Sequence, residues 1–272
     1  MTDIEDIARR IGFDHARDDV AAKILRELVM NGGIAAKVNQ TLSHLERKLE
    51  NKIIFVTGAA ISLKEDYGMV KTLLDEHGDD IEIVAADGTC KYLLENGRLP
   101  TAVTSDLDGG IDNILAAGRE GSTIVVLAHG DNMELVKDFF TRLKLPENEK
   151  VAVIPVVQVS DPEPPLYNFG GFTDGDRGVS FSTTLAKKVI LIGFDYSGKI
   201  GPYSKPGILE ESGAFNQRKK VKLTIAREII DIAAEHHPGK IWTINSGSVT
   251  DHVKLATVSI INQFVKQLAV KI

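Results

Sequence analysis

The chain has 272 residues, of which 43% are hydrophobic and 26% are charged, a balance typical of a globular protein with a sizeable core. The formal net charge of −6 disfavours a nucleic-acid or membrane-surface partner, and no apolar run approaches the roughly 20 residues that span a bilayer. The single cysteine, Cys90, excludes an intrachain disulfide and a cysteine-built zinc site.

The first fifty residues are predicted to be helical. Residues 1–17 are charged throughout and lack the apolar segment of a signal peptide, which together with the lone cysteine favours a cytoplasmic location. Apolar residues recur at helical spacing from Ile34 to Leu49, and Gly32-Gly33 divides the region into two helices. We expect a small N-terminal helical region over residues 1–50, followed by an α/β domain over residues 51–272.

From residue 53 onward, short apolar runs alternate with amphipathic stretches. Seven strands are predicted, at residues 53–56, 81–86, 102–104, 123–127, 151–157, 189–192 and 241–244. Helices are predicted at residues 66–76, 133–143, 220–234 and 253–270. Strands that alternate with helices predict an α/β fold with a Rossmann-like, mainly parallel sheet and helices on both faces. The continuously apolar strands are typical of such a doubly covered sheet.

Two long segments fit neither a strand nor a helix. Residues 160–178 and residues 195–216 are both rich in proline and glycine. Loops of this length within a compact domain are usually lids or binding loops. We therefore expect both segments to lie beside a ligand site.

Polar residues follow several of the predicted strands, at the point where each strand ends. In an open parallel sheet, ligands bind beyond the carboxyl ends of the strands. A single aspartate at such a position is often only a helix N-cap. Carboxylates from four strand ends would converge on one edge, where their mutual repulsion requires a cation. The polar residues that follow the predicted strands are Asp87, Asp106, Asp108, His129, Asp131, Asn132, Asp195 and Asn245.

The sharpest local signal is the Asp106-Leu107-Asp108 segment, which is followed by Gly109-Gly110. An extended Asp-x-Asp points both carboxylates to the same side, and carboxylate oxygens are ligands that Mg²⁺ prefers. The glycines would let a phosphate or a metal ion approach the backbone closely. The alternatives are a plain acidic turn and the Asp-x-Asp of nucleotide-sugar transferases.

Two further segments carry residues suited to binding. His129 is open to three interpretations: a base, a phosphate donor or a strand-end histidine, while Asp131 or Asn132 could simply cap the next helix. In residues 168–178, Phe169 or Phe172 could stack on a flat ring, and Arg177 could grip a phosphate in a bidentate manner. A mobile surface loop is the alternative for this segment.

A cluster of basic residues precedes the helix predicted at residues 220–234. This cluster could bind phosphate oxygens through Lys219, Lys220 and Lys222. Such a run of lysines more commonly forms a solvent-exposed helix face. No phosphate-binding P-loop, dinucleotide fingerprint, nucleophile elbow or kinase catalytic loop is present.

Together these motifs resemble the archaeal 6-hydroxymethyl-7,8-dihydropterin pyrophosphokinase family over nearly the whole chain from about residue 53. The resemblance is carried by Ala86-Asp87-Gly88, by Gly193-Phe194-Asp195, and by residues 104–109, 129–132 and 168–177. A more distant likeness is to thiamine pyrophosphokinase, which has Ala-Asp-Gly, Asp-x-Asp and Gly-Gly-x-x-Asp in the same order. Relatives usually have Gly-x-Gly-Pro-Ser-Leu after the first strand, whereas this chain has residues 58–63 as Gly-Ala-Ala-Ile-Ser-Leu.

The resemblance implies transfer of a diphosphate group from ATP to a reduced pterin alcohol, with release of AMP, on the route to folate or tetrahydromethanopterin. It implies Mg²⁺ as the cofactor, held by Asp87, Asp106, Asp108 and Asp131. Asp106, Asp108 and Arg177 are the expected catalytic residues. The expected substrate-binding residues are His129, Asn132, Asn168, Phe172, Asp174 and Asp195. The expected partners are ATP and the pterin, without nucleic acid or membrane, and a homo-oligomer is compatible with the sequence.

Two other functions remain open at this point. A nucleotide-sugar-dependent glycosyltransferase would also use Asp-x-Asp, but glycosyltransferases with related motifs are usually much longer chains. A non-catalytic nucleotide-binding module is the second alternative, and such a module would not need several converging carboxylates. Incubation with ATP, Mg²⁺ and the pterin alcohol discriminates among the three.

Overall fold

The structure is a computed structural model that describes residues 15–196, 201–204 and 213–269. Residues 1–14 of the predicted helical region, and residues 197–200 and 205–212 of the second predicted loop, lie outside the described residues. Within the described ranges, no helix is both long enough and apolar enough to cross a membrane.

Eight strands and nine helices make up the described part of the chain. The strands are β1 (Ile53–Thr57), β2 (Ile81–Ala86), β3 (Ala102–Ser105), β4 (Thr123–Ala128), β5 (Ala152–Val157), β6 (Lys188–Ile192), β7 (Ile241–Thr243) and β8 (Lys254–Leu255). The helices are α1 (His15–Asn31), α2 (Ala35–Leu49), α3 (Leu63–Glu76), α4 (Thr89–Glu95), α5 (Ile111–Arg119), α6 (Met133–Arg142), α7 (Asp174–Leu185), α8 (Gly213–His236) and α9 (Val258–Ala269).

All eight strands are parallel and form one sheet in the order β5-β4-β3-β2-β1-β6-β7-β8. The order reverses between β1 and β6, which lie side by side although the chain visits four strands between them. Ligands bind beyond the carboxyl ends of the strands at such a switch point. The structure confirms the predicted Rossmann-like parallel sheet.

Both faces of the sheet are covered by helices. Along β1, Ile53 and Phe55 join one hydrophobic core, while Ile54 and Val56 join the core on the opposite face. This alternation follows from the strand period of two, and it requires both faces to be apolar. The first core includes residues of α3, α5 and α6, and the second includes residues of α7 and α8.

The two N-terminal helices pack on the two faces of the sheet at its β5 edge. Gly33, with φ of 69°, makes the turn between them and confirms the predicted division at Gly32-Gly33. Leu25 of α1 is buried in the first core, and Leu45 of α2 is buried in the second. The helices therefore cover opposite faces, and α1 contacts β4, β5 and α6 near the end of β4.

Two boundaries differ from the prediction. The loop predicted at residues 160–178 ends at Thr173, because Thr173 and Asp176 form a capping box that starts α7 at Asp174. The helix predicted from residue 253 begins instead at Val258, because Lys254 and Leu255 pair with β7 as the parallel edge strand β8. The capping box can be read from the sequence, whereas a two-residue strand exists only because its neighbour is in place.

Candidate active site

A cavity of about 590 Å³ lies at the carboxyl ends of the strands and spans the switch point between β1 and β6. Its walls come from the loops that follow β1, β2, β3, β4 and β6, from the start of α7 and from one face of α8. Most of the residues that the sequence assigned to a site line this cavity: Asp87, Asp106, Asp108, His129, Asp131, Asn132, Phe172, Asp174 and Asp195. The topology therefore gathers side chains that lie far apart in the sequence.

Three carboxylates form a compact group on one wall. Each of Asp87, Asp106 and Asp108 has an oxygen within 4.8 Å of an oxygen of the other two. Asp87 comes directly after β2 and Asp106 directly after β3, and these strands are neighbours in the sheet. Asp87 is buried and Asp108 is exposed, so the group opens toward the cavity. This arrangement fits a hard divalent cation with some of its ligands supplied by water or substrate.

The buried end of this group is fixed by a short network. Asp87 has a left-handed backbone with φ of 45°, and its N–H donates to the Thr104 carbonyl at 2.7 Å. The Ser105 hydroxyl donates to Asp87 Oδ1 and accepts from the Leu107 N–H at 2.7 Å. Such backbone strain in a non-glycine residue is typical of functional sites. Ser105 was not predicted from the sequence, since a strand-end serine carries little signal.

The carboxylates repel one another strongly. Burial, together with the negative charges of Asp106 and Asp108, raises the pKa of Asp87 well above its ordinary value. Burial also raises the pKa of Asp106, but the hydrogen bond and the charge of His129 outweigh it, with smaller contributions from the Asp108 N–H and the charge of Lys222, and the net pKa is lowered. Because Asp87 resists ionisation while Asp106 stays charged, the site favours a cation that would neutralise the group.

Asp174 adds a further carboxylate at the start of α7. Burial and the charges of Asp106, Asp87 and Asp108 raise its pKa well above the ordinary value. Its Oδ1 atom is buried without a hydrogen-bond partner, while the Thr104 hydroxyl donates to its carbonyl at 2.9 Å. A buried carboxylate oxygen with no partner is costly unless a ligand completes it. Asp174 was predicted to bind the substrate, and the structure places it beside the acidic group.

The loop after β4 joins this wall through His129 and Asn132, which are both buried. His129 Nε2 lies 3.5 Å from Asp106 Oδ2, and its Nδ1 accepts the Asp131 N–H at 3.2 Å. The Asn132 amide donates to the Asp106 carbonyl at 2.8 Å and to the Leu127 carbonyl at 2.7 Å. The loop therefore braces the backbone and the side chain of Asp106.

Asp131 and Asp195 line the cavity away from the three-carboxylate group. Asp131 lies outside that group and forms a 2.9 Å ion pair with Arg17 of α1. Asp195 Oδ2 accepts the Ser62 N–H at 3.3 Å, which ties the end of β6 to the loop after β1. The magnesium-ligand role of Asp131 and the substrate-binding role of Asp195 remain predictions.

Some residues of the segment 168–177 line the cavity, and others support its wall from behind. Phe172 lines the cavity, with Lys222 Nζ 5.9 Å above its ring. Asn168 donates to the Val159 carbonyl and accepts the Gly170 N–H, so its side chain shapes the loop. Arg177 is 1% exposed and donates to the Gly170 carbonyl at 2.9 Å, while its Nε and Nη2 have no partner. The structure thus places Asn168 and Arg177 behind the cavity wall.

Two lysines face the acidic wall from α8. Lys219 and Lys222 are three residues apart, so they lie on the same side of the helix, and both line the cavity. Lys220 is exposed and does not line it. The cavity therefore has an acidic wall and a basic wall, an arrangement that suits a polyphosphate bridged to a metal ion.

The altered loop after β1 also contributes to the cavity. Gly58, Ala59 and Ala60 line it, and a Cβ on Gly58 would lie 2.7 Å from the Gly193 carbonyl oxygen. Gly58 thus permits the close approach of the β1 and β6 ends. Residues 201–204 pack over this loop, since a Cβ on Gly201 would meet the Ala59 carbonyl at 2.2 Å.

Comparison with known proteins identifies the family. The model of the family described as "6-hydroxymethylpterin diphosphokinase MptE-like" matches residues 30–201. A protein from Methanocaldococcus jannaschii named 6-hydroxymethyl-7,8-dihydropterin pyrophosphokinase is 33% identical over 233 residues, which cover 83% of this chain and 90% of that protein. Proteins of the same name from Pyrococcus furiosus and Methanothermobacter thermautotrophicus are 34% and 32% identical, covering 84% and 81% of this chain and 89% and 87% of their own lengths.

Among solved structures, that of the MAf glycosyltransferase from Magnetospirillum magneticum AMB-1 is similar to this chain. Its TM-score is 0.44 at 13% identity, and the match covers 85% of this chain and 41% of that chain. The family model, by contrast, spans more than half of the chain, and three relatives exceed 30% identity over most of their lengths. The chain belongs to the 6-hydroxymethylpterin diphosphokinase MptE-like family.

Proposed function

We propose that this chain transfers the terminal diphosphate of ATP to the hydroxymethyl group of 6-hydroxymethyl-7,8-dihydropterin and releases AMP. Its relatives carry the name of this activity. The observation that carries the proposal is the group of Asp87, Asp106 and Asp108, which faces Lys219 and Lys222 across one cavity. A binding module would have little use for carboxylates held in mutual repulsion.

The residues present fit magnesium. The three carboxylates supply hard oxygen ligands, and the unpartnered Oδ1 of Asp174 supports a cation nearby. The chemistry that Mg²⁺ supplies when held by Asp87, Asp106 and Asp108 is neutralisation and alignment of phosphate oxygens. Asp106 stays ionised because His129 donates to it, so it can bind a cation without losing a proton.

The transfer is an in-line displacement at the β-phosphorus of ATP. A bond forms between the hydroxymethyl oxygen and this phosphorus, the bond to the oxygen that bridges the α- and β-phosphorus breaks, and AMP leaves with that oxygen. The hydroxyl proton is lost to solvent or phosphate. Lys219 and Lys222 offset the charge that develops on the leaving phosphate. Positioning and charge neutralisation, rather than a dedicated base, supply most of the rate.

Arg177 has a supporting role in this proposal. Its guanidinium is buried behind the wall, and its positive charge opposes the rise in the pKa of Asp174. Its hydrogen bond to the Gly170 carbonyl holds the turn that leads to Phe172. We therefore assign Arg177 to positioning Phe172 and the acidic start of α7, with Phe172 available to stack on the flat pterin ring.

The released nucleotide is expected to be AMP, and a reduced pterin alcohol is expected to be a far better acceptor than thiamine. Each polar group of the site left unpaired by a wrong acceptor costs about 1–3 kcal/mol. Chromatographic separation of AMP from ADP, with each acceptor in turn, measures both expectations. ADP as the main product, or thiamine with a comparable kcat/KM, contradicts the proposal and leaves the family assignment standing.

Replacing Lys222 with methionine is expected to lower kcat/KM for ATP. The substitution keeps the aliphatic stem over Phe172 but removes a charge-assisted contact of about 1.5–3 kcal/mol, or roughly 10- to 100-fold. Steady-state kinetics with varied ATP measures the loss. Lys220→Met is the matched control, since this exposed lysine lies on the same helix outside the cavity. Equal losses in the two variants would refute a phosphate contact for Lys222.

A further inference from the structure

The first turn of α1 holds both peptide groups that flank Gly130 in the loop after β4. Asp18, which is 6% exposed, accepts the Gly130 N–H through Oδ1 at 2.8 Å. Arg17 Nη2 donates to the Gly130 carbonyl at 2.8 Å, and Arg17 Nη1 pairs with the Asp131 carboxylate at 2.9 Å. A Cβ on Gly130 would lie 2.6 Å from the Cβ of Arg17, so this close contact requires glycine. These contacts join residues more than 110 positions apart.

The peptide between Gly130 and Asp131 links this contact to the site. Its carbonyl accepts from Arg17, and its N–H donates to His129 Nδ1 at 3.2 Å. A peptide group is planar, so fixing the carbonyl direction fixes the N–H direction. An Nδ1 that accepts a hydrogen bond leaves the proton of a neutral imidazole on Nε2. Nε2 is the nitrogen that faces Asp106 Oδ2 at 3.5 Å.

We infer that Arg17 and Asp18 are positioning residues, which set the orientation and the tautomer of His129 and through it the geometry of Asp106. Neither side chain lines the cavity, so they act on the reaction only through the loop. Both lie before residue 30, where the match to the family model begins. The inference assigns a function to α1 beyond covering the sheet, and its catalytic readout rests on the proposed diphosphate transfer.

Asp18 and Arg17 hold different peptide groups of this loop. Asp18 holds the peptide that precedes Gly130, and its carboxylate lies in the first turn of α1, where the helix dipole favours negative charge. Arg17 holds the peptide that follows Gly130 and pairs with Asp131. Loss of either contact leaves the core of α1 intact, because Ala21, Leu25 and Val29 make its buried face. The variants are therefore expected to fold.

The test uses Arg17→Ala and Asp18→Ala in the full chain, with Asp19→Ala as the matched control. Asp19 is the exposed neighbour of Asp18 on the same helix. Nitrogen NMR of the His129 ring, assigned with His129→Gln and recorded near about pH 8.5, reads the tautomer where an ordinary histidine is neutral. The wild type and Asp19→Ala are expected to show the proton on Nε2. Arg17→Ala and Asp18→Ala are expected to show a mixture or shifted ring signals.

Kinetics supply the second readout. Removing an outer-shell partner typically costs about 10- to 100-fold in activity or metal affinity, so kcat should fall by that factor in both variants and not in the control. An unchanged His129 ring spectrum in both variants, or a loss of activity that merely follows the fraction unfolded, overturns the inference. A wild-type protein that makes no AMP overturns the proposed function instead, and the NMR comparison still decides the role of α1.

Discussion

Asp106→Asn is expected to lower diphosphate transfer by on the order of 1,000-fold while the protein stays folded. Asp106 is the member of the acidic group whose pKa is held below its ordinary value, and it lies between His129 and Asp108. Asparagine keeps the shape but replaces an anionic ligand with a neutral amide, half of which is a donor. Metal affinity and charge neutralisation should both fall, and Asp108→Asn is expected to follow the same course.

The stability of Asp106→Asn is expected to stay close to that of the wild type. The charge of Asp106 is one cause of the raised pKa values of Asp87 and Asp174, so removing it relieves repulsion in the metal-free protein. The same change removes the interactions with His129 and Lys222 that lower the pKa of Asp106 and favour the folded state, so the two effects oppose each other. Thermal unfolding in the absence of metal measures the net effect. A lower Tm would show that Asp106 supports the fold in addition to holding a metal.

The control for Asp106→Asn is Asp112→Asn. Asp112 is 91% exposed and forms a surface ion pair with Arg142 at 2.8 Å, so its loss should leave activity near normal. Initial rates over a range of Mg²⁺ concentrations, after treatment with a chelator, measure kcat and the metal requirement together. Near-normal turnover of Asp106→Asn and Asp108→Asn at limiting Mg²⁺ would show that the acidic group is not the metal site.

Local patterns in the sequence were sufficient to predict seven of the eight strands and one wall of the site. Buried strands are continuously apolar, so all seven predicted strands were found, and polar residues after β2, β3 and β4 meet because parallel strands end at one edge. Asp87, Asp106 and Asp108 therefore come together as the pattern indicates. Their spacing depends only on neighbouring strands.

The remaining features depend on contacts that no local pattern encodes. Asp174 joins the acidic group because α7 packs across β1, β2 and β3, although these strands lie far from α7 in the sequence. The contacts of α1 with Gly130 join two parts of the chain that are separated by four helices and four strands. Arg177 is a residue type that often binds phosphate, yet its side chain is buried. Gly170 and Gly171, which both have positive φ, turn the preceding chain so that it packs over the backbone of Arg177.

The loops that follow β2 and β3 pack so closely that neither Gly88 nor Gly109 has room for a side chain. A Cβ on Gly109 would lie 2.0 Å from Asp87 Oδ2 and 2.5 Å from the Gly88 nitrogen. A Cβ on Gly88 would in turn lie 2.1 Å from the Tyr203 carbonyl oxygen. The loop after β2 therefore has the Gly109 backbone against Asp87 and the Tyr203 carbonyl against Gly88. The Asp87 carboxylate also accepts a hydrogen bond from Ser105.

Gly109→Ala is expected to lower kcat by at least about 100-fold, because a reacting group displaced by 1 Å can cost that much. The added methyl group must push the Asp87 carboxylate or the loop after β2 aside, and overpacking of this kind also costs about 1–3 kcal/mol of stability. Gly68→Ala is the control, since Gly68 lies within α3 with no atom within 4 Å of its added Cβ. The Gly68→Ala protein should keep full activity, and its free energy of unfolding should rise by up to about 1 kcal/mol, because glycine is a poor helix former.

Turnover at saturating Mg²⁺, measured beside urea unfolding, separates the effect of Gly109→Ala on catalysis from its effect on stability. Wild-type kcat in a folded Gly109→Ala protein would mean that the position of Asp87 is not required for the reaction.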